Sequence, residues 1–347
     1  MPRERIVTGQ SEGEESDRLD LSLRPKRFAQ YIGQASIVQR LQIAVEAARG
    51  RNEPIDHILL HGPPGLGKTT LAYVVAAELG STVHVTSGPA LAKPNDLLTT
   101  LLNLQRGDVL FIDEIHRLPV TVEESLYSAM EDFRIEFKEG EGTHARLESE
   151  NLEPFTLVGA TTRIGLLTGA MRSRFGLVSH LDFYDVTALQ TILRQNCGML
   201  SLSFDETALA ELARRSRGTP RIANKLLRRV RDYAAVKADG RLTTATVRDA
   251  LKLEGVDDRG LDELDRTFLR VLIDFYAGGP AGIEALAATM SEEVDTLADV
   301  IEPYMLQQGF ITRTRQGRRA SKIAYEHLGL KWSPPKDANA GPELFEE

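Results

Sequence analysis

The sequence lacks most of what would place it outside water or in an oxidising compartment. Among its 347 residues there is one cysteine, Cys197, so neither a disulfide framework nor a cysteine-based zinc site can be built within the chain. The longest run free of Asp, Glu, Lys and Arg is 14 residues, Leu79 to Ala92, and Ser, Thr, His, Gly and Pro interrupt it. A membrane span needs about 20 mostly apolar residues, so none is expected. Residues 1–20 carry no apolar h-region, which predicts no secretory signal and a cytoplasmic, reducing setting. An excess of positive charge is missing too. With 42 Lys+Arg against 50 Asp+Glu the net charge is −8, which argues against a general basic coat for nucleic acid. Local basic patches remain effective, because the Debye length at physiological salt is only about 8 Å. The seven histidines show no metal-ligand spacing and read as structural.

What is present is ordinary for a globular chain, with 42% hydrophobic and 27% charged residues. At roughly 150 residues per domain the length predicts two or three domains. Residues 1–18 are polar and charged and read as a mobile arm. Short apolar runs then alternate with helical segments: 57–61, 83–86, 109–113, 155–160 and 178–183. Such runs suit strands buried on both faces, and their alternation with helices predicts a mostly parallel five-stranded sheet over 19–184. The clearest helix is 69–79, ended by Gly80. From 187 to about 254 the periodicity is helical, with no acidic residue and eight basic ones in 214–231. Over 257–330 a helix at 264–276, a Gly278-Gly279-Pro280 break, helices at 283–288 and 294–307, two strand-like runs about Gln316-Gly317 and a helix near 321–328 outline a winged helix. Residues 331–347 read as a flexible tail.

The strongest motif is Gly62-Pro63-Pro64-Gly65-Leu66-Gly67-Lys68-Thr69, which fits G-x-x-x-x-G-K-[ST] between an apolar strand and a helix. Glycines let backbone N–H groups curl round phosphate oxygens, and the helix directs its positive end at them. Lys68 is expected on the β/γ-phosphates and Thr69 on Mg²⁺. Asp113 and Glu114 end the run Val109–Ile112. In such a fold they would serve the metal and the attacking water, whereas an acidic strand cap facing solvent is the bland alternative. Three further positions stay open on residues alone. Thr162 could reach the γ-phosphate or simply shape a turn. Arg174 could neutralise transition-state charge in a neighbour's site or coat a surface. Arg221, opening a helix after Gly218-Thr219-Pro220, could reach phosphates or pair with an acid. Arg313, Arg315, Arg318, Arg319 and Lys322 crowd ten residues without an acid, which suits either a backbone-gripping hairpin or a solvated turn.

Taken together, these residues resemble the RuvB family, AAA+ motors of Holliday-junction branch migration. The resemblance covers about 19–330. Its segments include Leu23-Arg24-Pro25, Tyr31-Ile32-Gly33-Gln34, 61–72, 85–91, 107–118, 126–133, 155–163, 172–176, 214–226, 260–266, 278–283 and 302–311. It implies an AAA+ P-loop ATPase domain (19–184), a small helical lid (185–256) and a winged-helix head (257–330). It implies an ATP hydrolase that uses ATP and Mg²⁺ and drives duplex DNA through a Holliday junction in recombination and repair. Asp113 and Thr69 would hold the metal, Glu114 the water. Thr162 would be sensor 1, Arg174 the trans-acting finger and Arg221 sensor 2. Leu23, Arg24, Gly65, Gly67, Lys68, Thr69, Thr70, Glu131, Asp132, Phe133, Arg174, Tyr184 and Arg221 would contact nucleotide, and Arg313 and Arg318 DNA. A RuvA-type partner is implied for the hairpin at 134–154, with a RuvC-type resolvase and a homohexameric ring. Two departures stand out. The family wing R-T-P-R-G-R is here Arg313-Thr314-Arg315-Gln316-Gly317-Arg318, and 139–153 is more acidic than usual. A clamp loader, a replication initiator and a nucleotide-gated winged-helix regulator are the competing readings.

Overall fold

The computed structural model describes residues 23–139 and 146–332; the arm, most of the tail and the tip of the hairpin fall outside the described residues. The chain divides into two compact units, and in the described residues these are 23–201 with 218–224, and 202–217 with 225–332.

The first unit is built on five parallel strands: β1 (Ile58–His61), β2 (Val83–Ser87), β3 (Val109–Asp113), β6 (Thr156–Thr161) and β7 (Leu177–His180). Their order is β2-β3-β6-β1-β7. Each parallel step needs a crossover. The helices that supply or flank these crossovers are α1 (Ala35–Arg51), α2 (Lys68–Leu79), α3 (Pro94–Leu102), α4 (Val120–Glu131) and α5 (Gly169–Ser173), with α6 (Val186–Met199) following β7. The central strands β3, β6 and β1 are almost wholly buried, whereas the edge strands β2 and β7 are only partly so. That is why the central runs are continuously apolar rather than alternating. Phe111, Phe155, Leu59, Leu97 and Leu101 are among its fully buried side chains. Helix boundaries follow local chemistry. Gly80, at φ 74°, ends α2, Thr168 caps α5 by accepting from Met171 N at 3.0 Å, and Asp185 caps α6 by accepting from Ala188 N at 2.6 Å. An antiparallel hairpin, β4 (Arg134–Glu139) with β5 (Arg146–Asn151), stands apart from the main sheet, in register Arg134↔Asn151 to Glu139↔Arg146.

The second unit contains α7 (Glu206–Arg214), α9 (Thr244–Leu253) and, from Lys225 on, most of α8 (Pro220–Lys237). It continues into α10 (Glu263–Asp274), α11 (Ile283–Met290), α12 (Val294–Thr296), a π-turn (Leu297–Ile301), α13 (Glu302–Gln307), the hairpin β8 (Ile311–Thr314) and β9 (Gly317–Ala320), and α14 (Lys322–His327). Ala281 bridges to Arg318 and makes the hairpin three-stranded at one point. Phe268, Leu272, Leu286, Met305 and Phe310 form the core. The helix–helix–helix–hairpin order is that of a winged helix, and the single helix expected over 294–307 is interrupted by the π-turn.

Among the described residues no helix is long and apolar enough to cross a membrane, and no cluster of three or more His, Cys, Asp or Glu side chains could hold a metal.

Candidate nucleotide site and wing

The C-terminal edge of the sheet gathers the nucleotide candidates. The loop after β1 turns through three left-handed glycines, Gly62 (φ 137°), Gly65 (φ 78°) and Gly67 (φ 100°), the last capping α2. Lys68 is buried, and its Nζ donates to Gly62 O and Pro63 O, each at 2.8 Å, so the ammonium holds the loop curled about itself. Thr69 and Thr70 follow on the first turn of α2, where N–H groups lack helical partners. Gly62 N donates to Thr161 O at 3.2 Å, which sets the end of β6, and hence Thr162, beside the start of the loop. In the next strand Ile112 pairs with Gly159, so Asp113 ends β3 at the same edge. Asp113 Oδ1 accepts from Glu114 N at 2.9 Å. Glu114 adopts a left-handed backbone (φ 48°), and Arg117 donates to its carboxylate at 3.0 Å near solvent.

Two aromatic hydroxyls lie under this loop. Tyr31 Oη and Tyr184 Oη are 3.1 Å apart, and Tyr184 Oη also donates to Leu66 O at 3.2 Å. A side chain on Gly67 would meet Tyr31 Oη at 2.6 Å. Burial pushes both phenols above their ordinary pKa. Leu23 is buried, and the Arg24 guanidinium lies 5.3 Å from the Tyr73 ring centroid on α2.

Arg221 reaches the same loop. Its N–H is 3.4 Å from Gly65 O, and a Cβ on Gly65 would meet Thr219 Cγ2 at 2.7 Å and Arg221 Cβ at 3.0 Å. The turn is held from behind as well, since Tyr184 N donates to Gly218 O at 2.8 Å. Asp113, Thr162, Lys68, Thr69, Thr70, Tyr184 and Arg221 are thus brought to one loop from β3, β6, α2, the end of the sheet and α8. Sequence reasoning gave Tyr31 and Thr219 no role. Tyr31 lies in a quoted motif and Thr219 beside Arg221, but no spacing rule marks either.

Glu131, Asp132, Phe133 and Arg174 occupy a different place. Arg174 pairs with Glu131 at 3.2 Å, stacks over the Tyr127 ring at 4.2 Å and donates to Ala170 O at 2.7 Å. The Tyr127 hydroxyl is held by Glu123 at 2.5 Å and Thr168 at 3.0 Å. Phe133 packs edge-on against Phe155, with centroids 5.8 Å apart. His57 precedes β1 and its Nε2 donates to Met130 O at 3.0 Å, while its Nδ1 accepts from Leu157 N at 2.9 Å. This cluster therefore borders the start of β1, whereas the phosphate loop leaves its end. Four strand residues at about 3.3 Å each separate the two by roughly 13 Å. The four residues do not reach the phosphate loop of their own chain. Burial lowers the His57 pKa, against the Met130 carbonyl and the Asp56 charge, which raise it.

On the wing, Arg313 and Arg315 are exposed. Arg318 is not. It is buried and forks onto Glu302, with Nε to Oε1 at 2.9 Å and Nη2 to Oε2 at 2.8 Å, and its guanidinium faces α13 rather than solvent. The sequence expectation of a phosphate contact at Arg318 does not match this placement, because Glu302 holds both ends of its guanidinium.

Comparison with known proteins places each segment. Profiles described as the Holliday junction DNA helicase RuvB P-loop domain, the RuvB AAA lid domain and the RuvB C-terminal winged helix domain match residues 23–181, 184–257 and 258–329. A protein of Desulfosudis oleivorans named Holliday junction branch migration complex subunit RuvB is 52% identical over 331 residues, 95% of this chain and 96% of that one. A protein of the same name from Kosmotoga olearia is 54% identical over 327 residues, 94% of this chain and 95% of that one. The structure of the Thermotoga maritima RuvB Holliday junction branch migration motor superposes with a TM-score of 0.82 at 49% identity, over 90% of this chain and 99% of that one.

Proposed function

The chain belongs to the RuvB family of Holliday junction DNA helicases, and from that premise we propose how its residues share the work. The protein is an AAA+ ATP hydrolase and a motor subunit for branch migration of Holliday junctions in recombination and repair. The observation that carries the residue-level reading is the seating of the Gly218–Arg221 turn on Gly65. The cation that ends this turn, Arg221, lies beside the phosphate loop and reports whether the γ-phosphate is present.

The loop N–H groups and Lys68 receive the β- and γ-phosphates. Leu23, Arg24, Thr70 and Tyr184 bound the rest of the nucleotide. Thr69 and Asp113 offer a hydroxyl and a carboxylate at one edge of the sheet, an all-oxygen donor set that fits Mg²⁺ alongside phosphate oxygens and water. A bound Mg²⁺ there supplies positive charge against the phosphates. Glu114 orients water for in-line attack, which requires its carboxylate to leave Arg117. Thr162 and Arg221 sense the γ-phosphate. Arg174, with Glu131, Asp132 and Phe133, acts on the nucleotide of a neighbouring subunit; the separation of this cluster from its own phosphate loop supports a role in trans. That division of labour needs a closed ring, here a homohexamer.

Arg313 and Arg315 of the wing grip duplex backbone, while Arg318 holds the wing in shape through Glu302. Phosphate contacts carry no base information, so binding is independent of sequence and steeply salt-dependent. The β4–β5 hairpin and its tip, 134–154, engage a RuvA-type junction-binding partner, a RuvC-type resolvase joins the complex, and the motor works in the cytoplasm. The test is ATP-driven dissociation of a synthetic four-way junction, with and without a RuvA-type protein and with a forked duplex as control. Dissociation that needs ATP and rises strongly with the partner supports the reading. ATP hydrolysis without junction movement overturns it in favour of a loader or an initiator.

A further inference from the structure

Arg217 stands immediately before the Gly218–Arg221 turn, and the nucleotide chemistry does not use it. A basic side chain beside a phosphate-sensing turn is expected on phosphate or in solvent. Here it is buried. Its Nη1 donates to Asp265 Oδ2 at 2.8 Å and its Nη2 to Val300 O at 3.0 Å, and the guanidinium lies 4.7 Å from the Tyr304 ring centroid. Asp265 is fixed in turn, because the same Oδ2 accepts from Asp262 N at 3.0 Å in the capping box that opens α10. Val300 belongs to the π-turn, where the widened backbone register leaves a carbonyl to be satisfied from outside the helix. Two residues on, Glu302 opens α13 and forks onto Arg318 of β9, whose strand carries one side of the wing. Arg217 therefore grips the winged helix at its first helix, its π-turn and its Tyr304, and the Arg318 that Glu302 holds pairs across the hairpin with Arg313. Its own backbone is left-handed at φ 55°, a conformation a non-glycine residue keeps only when its contacts demand it.

We infer that Arg217 is a positioning residue that ties the nucleotide-sensing turn to the DNA wing, so that displacement of Gly218–Arg221 is delivered to Val300 and Asp265 and through Glu302 to Arg318. The inference rests on the reading of Arg221 as nucleotide-facing. A buried ion pair is a costly way to gain stability alone, because apolar replacements often match it. Two directional hydrogen bonds and a ring face define an angle instead. Two ends of one side chain's surroundings, the turn and the wing, then move together.

The experiment uses the full chain with a RuvA-type partner and measures ATP hydrolysed and four-way junctions dissociated in the same reaction. A misfolded fraction lowers both in proportion and leaves their ratio untouched, whereas a lost link lowers the ratio. Arg217→Gln is expected to reduce junctions dissociated per ATP at least tenfold with ADP affinity unchanged. Arg217→Lys, which keeps the charge and one donor direction, recovers part of the ratio. Tyr304→Leu, which removes the ring face only, lowers it in the same sense and serves should Arg217→Gln fail to fold. A ratio within twofold of wild type in Arg217→Gln, or in Tyr304→Leu should Arg217→Gln fail to fold, overturns the inference. Arg221→Ala is run alongside. Normal ATP turnover in that variant overturns the sensor reading, while the Arg217 ratio is judged on its own.

Discussion

Arg318→Ala is expected to loosen the winged helix before it does anything else. The guanidinium and the Glu302 carboxylate are 9% and 4% exposed, and they share two charge-assisted hydrogen bonds at 2.9 and 2.8 Å. Removing one member of such a buried pair leaves a desolvated charge and costs about 3–5 kcal/mol, whereas an exposed pair such as Arg51–Glu53 contributes at most about 1 kcal/mol. At about 1.4 kcal/mol per factor of ten, amide exchange of protected sites across 297–320 should accelerate by roughly two to three and a half orders of magnitude. Arg313→Ala provides the contrast, since Arg313 is two-thirds exposed and only 3.9 Å from Glu302 at its nearest. It should leave exchange unchanged and reduce both duplex affinity and the slope of log affinity against log salt. Hydrogen exchange by mass spectrometry on the full chain separates the two without assuming that unfolding is two-state. If Arg318→Ala exchanged like wild type while losing duplex binding as Arg313→Ala does, Arg318 would be a DNA contact and the reasoning from its burial would fail.

Other expectations concern the nucleotide site and the sheet. Glu114→Gln should bind ATP and lose hydrolysis, and normal turnover would remove Glu114 from the water-orienting role. Arg174→Ala alone should lose about 10³–10⁵-fold in turnover, the range for arginine fingers, yet mixing it with Lys68→Ala should restore part of the activity; no recovery at any mixing ratio would count against action in trans. Gly65→Ala forces a side chain against Thr219 and Arg221 at φ 78°, and should weaken γ-phosphate discrimination, read as the ratio of ATP to ADP affinity, more than ADP binding itself. His57 is neutral in the fold, donating from Nε2 and accepting at Nδ1, with its pKa lowered by burial. The unfolded chain therefore binds the extra proton first. The contribution of His57 to stability is complete above pH 6.5 and is lost as pH falls from there through the lowered folded value. Denaturation midpoints of wild type should fall from pH 7.5 to 5.5 more than those of His57→Gln, and parallel profiles would refute this.

Much of the first unit was legible because its signals are local. Continuous apolar runs with no alternation mark β3 and β6 as buried parallel strands; β3 spans the expected 109–113 and β6 lies one residue later than the expected 155–160. The phosphate loop is legible for the same reason, since its glycines, lysine and threonine are adjacent in sequence. What was not legible depends on pairs far apart. Tyr31 meets Tyr184 across 153 residues, and no spacing in the sequence pairs them. Five basic residues crowd the wing and the resemblance to the family wing implies a DNA contact at Arg318, and only the fold reveals that Glu302, 16 residues earlier, claims it. Composition gives the charge of a patch, but burial decides which charges face outward.

The π-turn at Leu297–Ile301 is also a matter of length. A π-turn takes up one residue more than an α-helical turn over the same advance, so Val294 of α12 and the buried face of α13 can meet the core in phase although the residues between them are one too many for a 3.6-residue repeat. A helical wheel drawn straight through 294–307 therefore slips by about 100° at this point. Deleting Ala298, and not the buried Leu297 or Ile301, would leave the flanking faces aligned and the core of the winged helix filled. It would also return the Val300 carbonyl to an ordinary helical hydrogen bond and withdraw the acceptor that Arg217 uses. The chain thus carries a one-residue surplus that its core does not require, spent on an outward-facing carbonyl. A deletion there tests the join without altering a single charge.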